Sequence, residues 1–260
     1  MSNRGIFTAL LLSSTLVWAQ SGKAASTVPL QSPSTLPIVF TNTVSASRSH
    51  VGDPVTARTN QTVLLPNGAS IPSGTKITGH VVSAVPFVYD KTPYAQQKQS
   101  VLSIRFDSLQ VGGELLPLNV TVRAIADPIT SWGARTPNVN NVDSSLHTAT
   151  QIGGDQLTPS QSEVISSQGD VVGYNRHGGV YAHLIANRGC DASSVEVSVG
   201  IYSASACGLY GFADVTAQQV GSVAIPSTLT LRSTHTAPKL WKNSTALLEV
   251  LPNQQTLAAR

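Results

Sequence analysis

Hydrophobic and polar residues alternate with a period of two along much of this chain, the signature of half-buried β-strands. The first alternation begins at Leu36, where Ile38, Phe40 and Val44 interleave with polar neighbours. A second runs from Val55 to Leu65, with Thr56, Thr59 and Thr62 suited to a pleated surface. In Lys76 to Ser83, Ile77, Gly79 and Val81 share one face and Thr78, His80 and Val82 the other. Val101 to Leu109 sets Leu102, Ile104 and Phe106 against Ser103, Arg105 and Asp107. From Glu114 to Ala126, Leu116, Leu118, Val120 and Val122 oppose Asn119, Thr121 and Arg123. Such alternation predicts an antiparallel sheet with one wet face. Further strands are expected at Val171 to Ala186 and Val195 to Tyr202. Near the end, Ser227 to Arg232 carries Leu229 and Leu231 on one face, and Ala246, Leu248 and Val250 alternate with Leu247 and Glu249.

Turn signals punctuate these strands. Gly52-Asp53-Pro54 joins a glycine free to take positive φ to a proline that presets its neighbour. Asn67-Gly68 is a tight-turn pair between two alternating runs. Pro72-Ser73-Gly74 precedes the third strand, Gly112-Gly113 closes a hairpin, and Asn243 marks a turn before the last strand. By contrast, residues 127–168 carry Pro128, Pro137 and Pro159 among many Asn, Ser and Thr residues, with no helical stripe. This region is expected to be a long irregular loop, a class usually functional or disordered. The fold class predicted is all-β: a mostly antiparallel barrel or sandwich spanning residues 36–252, with a Cys-containing insertion over 171–212.

The start of the chain reads differently. Arg4 precedes a mostly apolar run from Gly5 to Trp18, and Val17-Trp18-Ala19 forms a small-residue cleavage site, with Ala24-Ala25 as a second choice. The apolar run is shorter than the roughly 20 residues that span a bilayer. Residues 1–19 are therefore expected to be a signal peptide, followed by a flexible Ser, Ala and Pro leader over 20–35. No later stretch is apolar enough for a transmembrane helix. The expected location is exported: periplasmic or extracellular, with outer-membrane association as a further option.

Composition supports export and narrows the chemistry. Only 11% of residues are charged, against about 25% in typical soluble domains. The formal charge is +3, and the charges are scattered without a basic run, which argues against nucleic acid as a partner. The two cysteines, Cys190 and Cys207, make an even count, which in an exported chain predicts a disulfide. Closing the 16-residue loop between them would add about 3 kcal/mol of stability.

Several motifs invite a catalytic reading and fail it. Ser73-Gly74-Thr75-Lys76 matches S-x-x-K, the nucleophile pattern of penicillin-binding proteins and serine β-lactamases. That chemistry needs the serine at a helix start, whereas here the motif lies between a turn and an alternating strand. Cys207 with upstream His177 could form a nucleophilic pair, but Cys190 is an available disulfide partner. His177 and His183 would lie about 20 Å apart on an extended strand, so a shared zinc would need a bend at Gly178-Gly179. Gly153-Gly154-Asp155 reads as a turn, since calcium would need more oxygen ligands than its surroundings offer. Asn60, Asn119 and Asn243 head glycosylation sequons at a frequency chance explains. Tyr89, Tyr94, Trp132 and Trp241 could stack on sugar rings. No catalytic residue, cofactor or metal is therefore expected.

The order of features over residues 36–82 resembles the periplasmic β-barrel-like domain of the TrbI/VirB10 family of conjugation and type IV secretion. The elements carrying the likeness are an apolar strand, a Ser-rich turn ending in Gly52, an Ala-containing strand and a tight turn. They end in Ile71-Pro72-Ser73-Gly74-Thr75-Lys76-Ile77-Thr78-Gly79. The chain is also similar to stand-alone secreted bacterial proteins with the same hairpin followed by Ser-Ala-x-Ala-Cys-Gly, here Ser203 to Gly208. The resemblance implies a barrel-like fold and a non-catalytic envelope structural or interaction module, with a secretion-channel component as its special case. A homo-oligomer or an envelope protein is the implied partner. The alternative is a secreted binding protein for polysaccharide or a small ligand, and a Cys- or Ser-dependent cell-wall enzyme ranks below it.

Overall fold

The structure is a computed structural model that describes residues 30–93, 96–136, 148–158, 161–218 and 225–252. The expected signal peptide, the leader up to residue 29, Tyr94, Pro137 and Pro159 lie outside the described residues. Along the chain run β1 (Thr35–Phe40), β2 (Val44–Ser45), β3 (Pro54–Thr59), β4 (Val63–Leu64), β5 (Ser70–Ile71), β6 (Lys76–Val85), β7 (Ser100–Val111), β8 (Glu114–Pro117) and β9 (Val120–Ala126). A short helix, α1 (Pro128–Gly133), follows. Then come β10 (Ala149–Thr150), β11 (Gln156–Leu157), β12 (Glu163–Ile165), β13 (Val171–Arg176), β14 (Gly179–His183) and β15 (Glu196–Ser198). The chain ends with β16 (Gly208–Tyr210), β17 (Thr216–Gln218), β18 (Thr228–Ser233), β19 (Lys239–Leu240) and β20 (Thr245–Val250).

The all-β expectation holds. Ten strands form one mixed sheet in the order β16-β9-β20-β1-β3-β6-β7-β18-β17, with β8 also paired to β7. Only the β16–β9 pair is parallel. The sheet curls until its two flanks meet. Ser227, just before β18, donates its backbone N–H to the carbonyl of Val120 at the start of β9, at 2.7 Å. The Ser227 hydroxyl donates to the carbonyl of Leu118 at 2.7 Å. The result is a nearly closed barrel filled by the side chains that the alternation assigned to one face. Leu36, Ile38, Phe40, Ile77, Val81, Ile104 and Phe106 are all buried in its core. Gly79 has a packing reason to be glycine: a Cβ there would meet the Arg105 carbonyl oxygen at 2.1 Å.

A second sheet, β10 to β15 in sequential antiparallel order, packs on the outside of the barrel. Its own core holds Val164, Val180, Ala182, Leu184, Val197 and Val199. This layer corrects the expectation of one wet face for part of the barrel. Every residue of β1 and β9 is buried, and in β20 all but Glu249 are. Ala246, Leu248 and Val250 point into the barrel. Leu247 points the other way, into a cluster with Ala124, Ala126, Ile152, Tyr202 and Ala206. Apart from Arg123 and Glu249, the outer face of these strands is mostly apolar or small because the segment after β9 returns to cover it.

Residues 127–168 contain more order than their composition predicts. Asp127 caps α1, its carboxylate accepting from the Thr130 N–H at 2.8 Å, with Pro128 in the first turn. Three short strands, β10 to β12, follow among the described residues. They are two or three residues long, too short for an alternation to register. The run expected over Val55 to Leu65 is broken at Asn60-Gln61-Thr62, between β3 and β4. The Glu114 to Ala126 run likewise divides into β8 and β9. The turn residues occupy turns: Gly52, Gly68 and Gly74 have φ of 91°, 80° and 84°. The Asp53 carboxylate accepts from the His50 N–H, and Asn67 Oδ1 accepts from the Ala69 N–H. The Pro72 carbonyl accepts from the hydroxyls of Thr59 and Thr75. Among the described residues, no helix is long and apolar enough to cross a membrane.

Candidate functional site

Two structural nodes fasten the outer layer to the barrel, and the cleft between the layers is the candidate site. The first node is Arg123 on β9, which is fully buried. Its Nε donates to the Ala206 carbonyl at 3.0 Å. One terminal nitrogen donates to the Asp191 carbonyl and to Glu249 Oε1, and the other to the Ile185 carbonyl, at 2.7 to 2.9 Å. Glu249 lies on the neighbouring strand β20, in register with Thr121. Burial pushes its carboxyl above the usual range, and the Arg123 charge pulls against that. A buried guanidinium is tolerated only when paired and hydrogen-bonded, and here three loop carbonyls and one carboxylate meet it.

The Cys190–Cys207 disulfide closes over the same place. The bond is formed, with Cα atoms 6.0 Å apart, and Cys190 Sγ lies 3.5 Å from the carbonyl oxygen of Arg123. It joins the loop that supplies the Ile185 and Asp191 carbonyls to the segment that supplies Ala206 and continues into β16. No described cysteine is free. The disulfide points to an oxidising, exported environment.

The second node is Gln61, in the break between β3 and β4. Its side chain behaves as an added strand residue on β14. Oε1 accepts from the Val180 N–H, and Nε2 donates to the Val180 carbonyl, both at 3.1 Å. Nε2 also donates to Ser198 Oγ. The Tyr181 hydroxyl donates to the Thr62 carbonyl at 2.8 Å, and Thr35 Oγ1 donates to the Ser198 carbonyl. Gly179 must be small, because a Cβ there would strike the Gln61 amide at 2.4 Å.

Beside this node the layers part to leave a cleft of about 590 Å³. The barrel contributes Val39 from β1, Arg58 and Thr59 from β3, Asn60 and Gln61 from the break, and Ser73-Gly74 from the β5–β6 turn. The outer layer contributes Leu157, Gly178, Val180, Gly200 and Ile201, and α1 delivers Arg135 just beyond its C-terminal end. Among the described residues, no Asp, Glu or aromatic side chain lines it. Neither Arg58 nor Arg135 forms an ion pair among the described residues. Partial desolvation lowers the Arg135 pKa, and the like charge of Arg58 lowers it further, although a guanidinium stays charged in any case. Lys76 sits opposite Arg58 across the β3–β6 register, beside the cleft rather than in its lining. Asn60 Oδ1 is buried with no hydrogen-bond partner. Gly200, at φ 62°, leaves the room: a Cβ there would fall 2.9 Å from Pro37 and 3.2 Å from Asn60 Oδ1.

Among the residues singled out from the sequence, Gly74 of the structural turns with its neighbour Ser73, the turn residue Asn243 and the sequon residue Asn60 reach this cleft. Ser73 lies in a turn and Lys76 opens β6, so no helix presents the serine to the lysine. Cys207 is held in the disulfide. His177 sits at positive φ between β13 and β14 and His183 ends β14, and no group of three metal-ligating side chains occurs among the described residues. Gly153-Gly154 form a turn in which Gly154 donates to the Gln151 carbonyl. The nearby Asp155 carboxylate accepts from the Ala204 N–H at 2.9 Å. Tyr89 and Trp132 are exposed at separate places, and Trp241 packs on Phe212 and Lys239.

Sequence reasoning missed Arg58, Arg135 and Gly200, and marked Asn60 only as the head of a sequon. The one local signal was the polar triplet Asn60-Gln61-Thr62, which interrupts an otherwise regular alternation. No family model, curated protein or solved structure matches this chain.

Proposed function

We propose that this protein is an exported, non-catalytic binding module whose ligand occupies the cleft between barrel and outer sheet. The observation that carries this reading is the cleft itself. Its volume, about 590 Å³, falls within the range of small-molecule sites. It is framed by rigid strands on both sides, and the Gln61 node fixes the spacing between them. What supports binding over catalysis is the chemistry of the lining. Among the described residues it offers guanidinium, amide and hydroxyl groups, with no base beside a nucleophile. The disulfide supports a periplasmic or extracellular site of action.

The test is a thermal-shift screen of the mature protein against small molecules and short glycans, run beside Ser73→Trp. Ser73 is exposed at the cleft mouth, so the indole obstructs the cleft without disturbing the core. A ligand that raises the melting temperature of the wild type and leaves Ser73→Trp unmoved is the expected result. Hits that stabilise both equally would place binding elsewhere and refute the reading.

A second reading is an envelope interaction module of the TrbI/VirB10 kind. The hairpins of residues 36–82 building one wall of a barrel support it, as do the exposed Val171, Tyr174, Ile185 and Val195 of the outer layer, which offer a surface for a second copy or an envelope protein. Light scattering on material gently extracted from envelopes tests it, and a ring-sized mass is its expected result.

A further inference from the structure

Within the cleft, the charges are unbalanced in one direction. Arg58 on β3 and Arg135 after α1 both line it, and among the described residues no carboxylate does. Like charges held together without a counter-ion destabilise each other, and an anion between them removes that cost. Guanidinium groups present paired N–H donors that match the oxygens of a carboxylate, sulfate or phosphate. The remaining polar lining is of another kind. Asn60, Ser73 and Asn243 add amides and a hydroxyl around the arginines. Such groups pair with hydroxyls. The volume exceeds what a bare inorganic ion needs, and the described lining has no aromatic ring to give the stacking face that neutral sugar sites commonly use.

We propose that the cleft selects an anionic saccharide, with Arg58 and Arg135 gripping its oxyanion and Asn60, Ser73 and Asn243 meeting its hydroxyls. This inference rests on the binding-module reading and names the ligand class for it. The oxyanion is a uronic carboxylate or a sulfate or phosphate ester. These share the recognition chemistry, and different probes separate them.

Isothermal titration of the disulfide-bonded mature protein tests the proposal with four probes: glucuronate, glucose 6-sulfate, glucose and inorganic sulfate. The expected result is binding of glucuronate, glucose 6-sulfate or both. Affinity should be at least about tenfold above that for glucose and for inorganic sulfate, and should weaken as salt rises. Glucuronate alone binding identifies the carboxylate source, and glucose 6-sulfate alone the ester. Arg58→Gln and Arg135→Gln should each weaken binding about tenfold or more. Both side chains are exposed, so both variants should melt with the wild type, and Arg58→Lys should keep part of the affinity. Equal binding of glucose and glucuronate, or binding unchanged in both Gln variants, overturns the anion assignment. Inorganic sulfate matching the sugars overturns the saccharide assignment. If a neutral ligand binds and Ser73→Trp abolishes it, this inference falls while the binding-module reading stands.

Discussion

Replacing Arg123 by methionine is expected to cost this protein a large share of its stability. The side chain is fully buried and makes four hydrogen bonds, to Ala206, Asp191, Glu249 and Ile185. Methionine fills a similar volume but donates nothing. Three carbonyls and a carboxylate then lose their partner. Breaking a buried ion pair by removing one member costs about 3–5 kcal/mol. Glu249 keeps 22% of its side chain in water, so it can rehydrate in part, which places the expected loss near the lower end, about 3 kcal/mol. That is a substantial fraction of a typical domain's 5–15 kcal/mol. Urea denaturation of the mature, oxidised protein, followed by far-ultraviolet circular dichroism and by tryptophan fluorescence, measures it. Arg123→Lys keeps the charge with a shorter reach and should fall between wild type and Arg123→Met. Pairing Arg123→Met with Glu249→Leu should recover part of the loss, because no unpaired carboxylate remains. An Arg123→Met variant within about 1 kcal/mol of wild type would refute the assignment of Arg123 as the tie between barrel and outer layer.

Three further expectations follow from particular contacts. Cys190→Ser should lower stability by about 3 kcal/mol, and reductant should lower the wild-type stability by the same amount while leaving the variant unmoved; equal wild-type midpoints with and without reductant would contradict it. Gly79→Ala pushes a methyl against the Arg105 carbonyl oxygen and should cost about 1–3 kcal/mol in the same assay, with hydrogen exchange quickening across β6 and β7; unchanged exchange there would refute the close approach. Burial raises the Asp155 pKa above the usual aspartate value. Its folded form therefore holds its proton more tightly than the unfolded chain does, so its contribution is full below the unfolded value and is lost as pH rises through the folded one. Asp155→Asn, which keeps an oxygen for the Ala204 N–H, should flatten that part of the fall in melting temperature with rising pH, and an unaltered slope would contradict the assignment.

The barrel was legible because its strands are long enough for a period of two to show. Ile77 and Val81, Leu102, Ile104 and Phe106, and Ala246 and Leu248 all lie on the face their spacing indicated. The second layer was not legible. Strands β10, β11 and β12 are two or three residues long, and residues that pair with their neighbours over so short a span leave no pattern. Covering the outer faces of β1, β9 and β20 leaves only a faint trace. Arg123 on an alternating strand reads as a solvent-facing residue until the carbonyls of Ile185, Asp191 and Ala206 are brought around it. The cleft has the same origin. Arg58, Ser73, Arg135 and Gly200 belong to four separate turns and strand ends, and no local motif joins them. Only the break in alternation at Asn60-Gln61-Thr62 hinted that the chain there serves something other than the barrel.

The most direct test of the binding-module account is a residue-resolved map of ligand contact. Amide spectra of isotope-labelled mature protein would be recorded before and after adding the best ligand from the thermal-shift screen. The account predicts shifts concentrated at residues 58–61, 73–74, 135, 178–180 and 200–201, where barrel and outer sheet face each other, and none from that ligand in Ser73→Trp. Shifts confined to other surfaces, such as the outer layer around Val171 and Tyr174, would contradict it and leave the envelope interaction reading in its place.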